Sequence, residues 1–149
     1  MCLITIQKKP IIAEEDITVY KVLIEKVDDN GSTFYVSPFG KKKYKYGTNT
    51  PYRGKNWTEE KSVYLDWGIN KNIIERGWLH AFIDDFTAYL GKDDMRENKS
   101  LADKFLPSDR LVTVEMTIPK GAKYFIGFEK DICADKLYWN KKDKPLHEL

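Results

Sequence analysis

Between Leu111 and Ile118 the chain alternates. Val112, Val114, Met116 and Ile118 are apolar, and Thr113, Glu115 and Thr117 between them are polar. A period of two separates the sets onto the two faces of a β-strand, whereas a helix would scatter both around its axis. The pattern predicts a strand within a half-buried sheet that keeps one wet face. Pro119-Lys120-Gly121 interrupts the alternation and Tyr124-Phe125-Ile126 resumes it, so a second strand follows a turn.

Other segments carry the same signature more briefly. Cys2 to Ile6 is a short β-prone run closed by Lys8-Lys9-Pro10, and Ile11 to Asp16 reads as a connector. Ile17 to Val27 is rich in β-branched residues, which favours a strand. Asp28-Asp29-Asn30-Gly31-Ser32 is a turn, with Phe34-Tyr35-Val36 returning as the hairpin partner. Residues 37–62 read as a long surface loop with one short strand at Tyr44 to Tyr46, and a short apolar piece from Val63 to Trp67 follows. Loops of that length inside a compact domain are often functional.

Two readings fit the middle of the chain. Leu79, Phe82, Ile83, Phe86 and Leu90 fit one helix face ending at Gly91. Alternatively Trp78 to Phe82 is a strand, and Asp84 caps a helix that starts at Asp85. The second uses Gly77 and Asp84 as boundaries and is preferred. A second helical piece is expected over Lys99 to Phe105, stopped by Pro107, and a last strand over Lys136 to Trp139. Strands first, helices in the middle and strands last predict one α+β domain over residues 1–139. Its mostly antiparallel, twisted sheet carries two short helices packed on one side, and a lysine-rich mobile tail occupies 140–149.

A chain of 149 residues is long enough to bury a core without a metal or disulfide. Cys2 and Cys133, far apart and outside any CxxC, give neither a disulfide framework nor a zinc site. No signal peptide is read at the N-terminus, and no run reaches the roughly 18 apolar residues of a membrane span. These features predict a cytoplasmic protein of a reducing compartment, with no membrane contact. Net charge is only +2, but it is unevenly placed. Gly31 to Thr58 contains no acid, whereas Asp84, Asp85, Asp93, Asp94, Glu97, Asp103 and Asp109 gather elsewhere.

Four constellations could carry chemistry. Lys41, Lys42, Lys43, Tyr44, Lys45, Tyr46, Tyr52, Arg53, Lys55 and Trp57 interleave cations with aromatic rings, the combination that holds single-stranded nucleic acid by phosphate and base. A solvated loop whose lysines discourage edge pairing would look the same. Cys2 would be an N-terminal nucleophile if Met1 were removed, or else a small buried residue. His80 would share a strand face with Trp78 and Phe82, either as a core residue or in a dyad with Cys133 or Asp131. Glu129 and Asp131, two apart, would share a strand face and hold a ribose hydroxyl, or simply form a polar turn. No HExxH, P-loop or GxGxxG occurs, and no metal or cofactor is expected.

Met1-Cys2-Leu3-Ile4, the run from Ile12 to Leu23, Gly77-Trp78-Leu79-His80-Ala81-Phe82, and Ile118-Pro119-Lys120-Gly121-Ala122-Lys123-Tyr124-Phe125-Ile126-Gly127 together resemble a group of small uncharacterised proteins of bacteriophages and gut bacteria. That resemblance implies a host-cell cytoplasmic setting and no particular activity. A second similarity is to ADP-ribosyltransferase folds, with Lys21 where a first basic residue would fall and Asp131 where a second acid would. Both positions depart from that pattern, which implies a degenerate site for NAD or another nucleotide. The expectation is therefore a non-enzymatic accessory or binding protein, whose basic aromatic loop meets single-stranded nucleic acid or an acidic protein. The alternatives are an enzyme using His80, Glu129 and Asp131, and a structural component of a particle.

Overall fold

A computed structural model of the chain describes residues 3–5, 7, 9–38, 42–51, 61–64, 70–74, 78–98, 108–128 and 130–145. The strands are β1 (Leu3–Thr5), β2 (Ile11–Ile12), β3 (Ile17–Val27), β4 (Thr33–Val36), β5 (Lys43–Tyr44), β6 (Gly47–Asn49), β7 (Lys61–Tyr64), β8 (Asn70–Ile74) and β9 (Leu79–Phe82). Helix α1 (Asp85–Glu97) follows, then β10 (Arg110–Ile118), β11 (Lys123–Ile126), β12 (Asp131–Ala134) and β13 (Leu137–Trp139). Among the described residues all strand pairings are antiparallel. The main sheet runs β2-β11-β12-β9-β3-β10-β13-β6, with β4 pairing β3 and β5 pairing β4, and β1-β8-β7 form a separate small sheet.

β3 is the spine. It pairs with β10 along nine consecutive positions, Ile17↔Ile118 to Glu25↔Arg110. Its other edge is shared by β9, at Tyr20↔Phe82, and by β4, from Ile24↔Val36 to Val27↔Thr33. The turn before β4 forms as the sequence predicts: Asp28 Oδ1 accepts from the Asn30 and Ser32 amides at 2.9 and 2.8 Å. Gly31 there takes φ +81°, a conformation that side-chain-bearing residues adopt at a cost.

The main sheet curls strongly without closing into a barrel. β3 and β10 lie between β4 and β13, yet Tyr35 of β4 and Trp139 of β13 meet with ring centroids 5.1 Å apart. In a flat sheet three strand spacings would hold them about 14 Å apart. The concave face gathers Val19, Leu23, Tyr44, Leu79, Val112, Val114, Met116, Ile118, Leu137 and Trp139. On the opposite face Val22, Ile24, Phe82 and Leu111 pack against α1 through Ala88 and Met95.

α1 begins as the capping reading requires, with Asp84 Oδ1 accepting from the Thr87 amide at 2.6 Å. The cap fixes the helix phase so that Ala88, Lys92 and Met95 turn inward. Phe86 and Leu90, assigned to the buried face by the alternative helical reading, turn outward. The helix also runs straight through Gly91. A Cβ at that position would stand 2.6 Å from the Phe82 ring, so the glycine serves close packing rather than termination.

Three expectations change. One helix, not two, is present among the described residues, and the piece expected over Lys99 to Phe105 lies outside them. β10 has a wet face only at its later half, because α1 covers the other part and leaves Leu111 and Thr113 buried. The segment read as a long surface loop contains β5, β6 and the start of β7, and Tyr44 within it is only 6% exposed. Apolar burial beneath the curl outweighs the polar composition around that tyrosine.

Candidate functional site

The basic aromatic segment is held in place by two polar side chains. Ser37 Oγ accepts from the Lys42 amide at 3.0 Å, and the Lys42 carbonyl accepts from the Ser37 amide at 2.8 Å. These bonds close the approach to β5, whose Tyr44 and Lys43 pair with Tyr35 and Val36. Asn49, nearly buried, does more. Its Oδ1 accepts from the Lys45 amide at 3.1 Å, and its Nδ2 faces the Lys45, Gly47 and Leu137 carbonyls at 2.9, 3.3 and 3.4 Å. One amide thus shapes the Lys45–Asn49 turn and fastens it to β13.

β6 pairs with β13 from Leu137↔Asn49 to Trp139↔Gly47. Lys45 and Lys141 therefore leave this ladder at the same end. The pairing brings Lys45 to the same sheet edge as Lys136, Lys141, Lys142 and Lys144, and Lys43 lies two residues before Lys45 on β5, all of them exposed. The first residues of the expected mobile tail fold back, the Trp139 indole donating to the Asp143 carbonyl at 2.8 Å. Tyr46 is exposed and its ring lies 4.6 Å from that of buried Trp139, while Tyr138, also exposed, points to the other face of β13. Asp143 is the single acid between Lys136 and Pro145.

Beneath this edge lies a less expected arrangement. Lys21 sits on the concave side of β3 between Val19 and Leu23 and is 8% exposed. Its Nζ is 5.3 Å from the Tyr44 ring centroid, and Lys42 Nζ is 5.8 Å from the same ring. Among the described residues Lys21 meets no carboxylate and makes no hydrogen bond. Burial lowers its ammonium from 10.5 to about 8. Lys42 is lowered as well, first by burial and then by Lys45, and Tyr44 is raised by burial. Tyr35 donates to Glu25 Oε2 at 3.1 Å, and burial followed by that carboxylate lifts its phenol to about 12.

His80 and Asp131 occupy neighbouring strands. His80 stands opposite Cys133, and Asp131 opposite Phe82, so all four share one sheet face. Both His80 ring nitrogens are buried without a hydrogen-bond partner, so no His80–Asp131 or His80–Cys133 dyad is formed. Burial, assisted by the Lys21 charge, lowers His80 to about 3, which makes it a neutral imidazole at neutral pH. Burial pushes the Cys133 thiol up to about 12. A thiol held there is not a nucleophile. It packs with Trp78 and Phe125, whose rings lie 5.3 Å apart.

Of the residues singled out from sequence, Lys42, Lys43, Tyr44, Lys45 and Tyr46 belong to this edge, with Tyr44 beneath it. Cys2, Lys41, Tyr52, Arg53, Lys55, Trp57 and Glu129 lie outside the described residues. Sequence reasoning missed the tail lysines as partners of the loop, because the pairing joins segments almost 90 residues apart. For Lys21 a signal existed: it has the same strand parity as Val19 and Leu23, which marks a lysine on an apolar face. Among the described residues no group of three or more His, Cys, Asp or Glu could hold a metal ion. No described helix is long and apolar enough to cross a membrane. Comparison with protein-family models, curated proteins and solved structures gives no match.

Proposed function

We propose that this chain is a non-enzymatic accessory protein that binds single-stranded nucleic acid along the β6–β13 edge. The observation that carries the reading is the pairing of β6 with β13. It unites two lysine-bearing segments and leaves the Tyr46 and Tyr138 rings exposed beside them. Phosphates would be met by Lys43, Lys45, Lys136, Lys141 and Lys142, and bases would stack on the tyrosines. The sequence pattern favours single strands over duplex, because stacking on side chains needs bases free of their own stack.

Binding is expected to be sequence-tolerant and salt-sensitive. With a phosphate contact at each of these lysines, log K should fall with log salt at a slope of roughly −3.5, since single strands contribute about 0.7 per contact. Fluorescence anisotropy with labelled oligothymidine and oligoadenosine at several salt concentrations tests this. Absence of binding at low salt defeats the reading.

A second reading, a structural component of an assembly, draws on the other side of the molecule. Ile83, Phe86, Leu90 and Phe128 are all exposed, and apolar side chains of this size commonly anchor interfaces. The solution oligomeric state distinguishes the two, since assembly through that face would give a concentration-dependent mass increase and nucleic-acid binding alone would not.

A further inference from the structure

Helix α1 packs its inner face on β3, β9 and β10 and leaves its outer face in water. Phe86 and Leu90, one turn apart on that outer face, are 66% and 46% exposed. Ile83 and Phe128 are exposed at the same end, because the Ile83 amide donates to the Lys130 carbonyl at 2.9 Å and fastens the turn carrying Phe128 to the start of the helix. Further along the stripe, at spacings of four and then three, Asp94 and Glu97 take the place of the apolar side chains. Arg96 is paired with Asp93 at 2.9 Å and Lys130 with Asp84 at 3.7 Å, whereas Asp85, Asp94 and Glu97 make no ion pair among the described residues.

An exposed apolar stripe marks a contact surface, and its acidic half sets the charge of what fits it. A second α1 does not fit. Packed in parallel, acid would meet acid, and packed antiparallel, each apolar half would meet an acidic one. The chain carries the complement on another surface. At the β6–β13 edge Tyr138 is exposed, Lys136 stands two residues before it, and Lys141 and Lys142 follow. We infer that the outer face of α1 docks on the β6–β13 edge of a second copy of this chain, its apolar half on the Tyr138 side and its acids on the tail lysines. This rests on the assembly reading above and names what the face meets. Because the two surfaces differ, the contact is head-to-tail, and it grows into a ring or a filament rather than stopping at a pair. A few apolar anchors and exposed ion pairs make a weak contact, so dilute protein is monomeric.

Sedimentation equilibrium of the full chain, read between about 10 µM and about 1 mM, covers the range of weak contacts. At about 0.01 M salt, where charges act over about 30 Å, the mean mass at the highest concentration should climb past that of a dimer; at about 1 M, where they act over about 3 Å, it should return to the monomer. Phe86→Ser with Leu90→Ser disables the face, and Lys141→Glu with Lys142→Glu disables the edge. All four side chains are exposed, so both double variants should keep the wild-type Tm. Each alone should remain monomeric at low salt. Mixed in equal amounts they should form a dimer that grows no further, since one working face meets one working edge. Assembly of the lysine variant alone, mixed variants that stay monomeric, or assembly that survives high salt overturns the inference while the assembly reading stands. Assembly of the serine variant alone, or a wild-type chain that stays monomeric at low salt and the highest concentration, defeats both.

Discussion

Lys21 is unusual because its side chain is largely buried with no ion pair among the described residues, the Tyr44 ring face at 5.3 Å being what its ammonium meets. A lysine whose ordinary value of 10.5 falls to about 8 stores roughly 3 kcal/mol against the folded state when charged. The direction with pH follows from proton counts. Between about 8 and 10.5 the unfolded chain keeps this proton and the folded chain releases it, so stability should rise across that window. Below it both states are charged and the penalty is complete. Lys21→Met should therefore stabilise the protein by up to about 3 kcal/mol at pH 7 and flatten the alkaline rise, as read by urea unfolding. His80 acts at the other end of the scale. Its ordinary value of 6.5 falls to about 3, so the unfolded chain gains a proton that the folded chain refuses as pH drops between them. Stability should fall steadily from pH 6.5 towards 3, and His80→Leu should remove that component. An unchanged acid profile in the variant would show that carboxylates alone govern it.

β3, β4 and their turn, the capped start of α1, and the extent of β10 were all legible, because each rests on neighbours in sequence: β-branching, an Asx turn, an aspartate before a helix, a period of two. What local pattern misses is which other element covers a face. Thr113 reads as solvent-facing by alternation, yet α1 arrives over it from elsewhere in the chain and buries it. Tyr44 sits in a polar run and is drawn under the curl because β4 and β13 converge there. Gly91 reads as a stop signal and is instead the point where α1 rides over Phe82. Gly91→Ala should cost about 1–3 kcal/mol, the usual result of forcing a methyl into a packed contact, despite alanine's better helix propensity. A gain in Tm would mean the Phe82 ring yields easily. Asn49→Ala should cost about 1–3 kcal/mol, because it strands the Lys45 amide and the carbonyls its own amide satisfies. Hydrogen exchange should quicken at Gly47 to Asn49 and leave β3 and β10 protected.

For the molecule as a whole, the curl of the main sheet does two things with one bend. It buries an apolar concave face, and it carries β5 and β6 round so that lysines from distant parts of the chain share an edge. The acidic residues of α1 belong to the opposite side of the sheet. The sequence already suggested a dipole of charge. It did not reveal that the C-terminal lysines join the basic pole, since this depends on the long-range pairing of β6 with β13. The most direct measurement of that claim is an amide chemical-shift map of the protein titrated with a short oligothymidine. The account predicts the largest shifts at Lys43, Lys45, Tyr46, Tyr138, Lys141 and Lys142, with α1 unaffected. Shifts confined to α1 and the Phe128 turn, or none at saturating strand concentration, would contradict it.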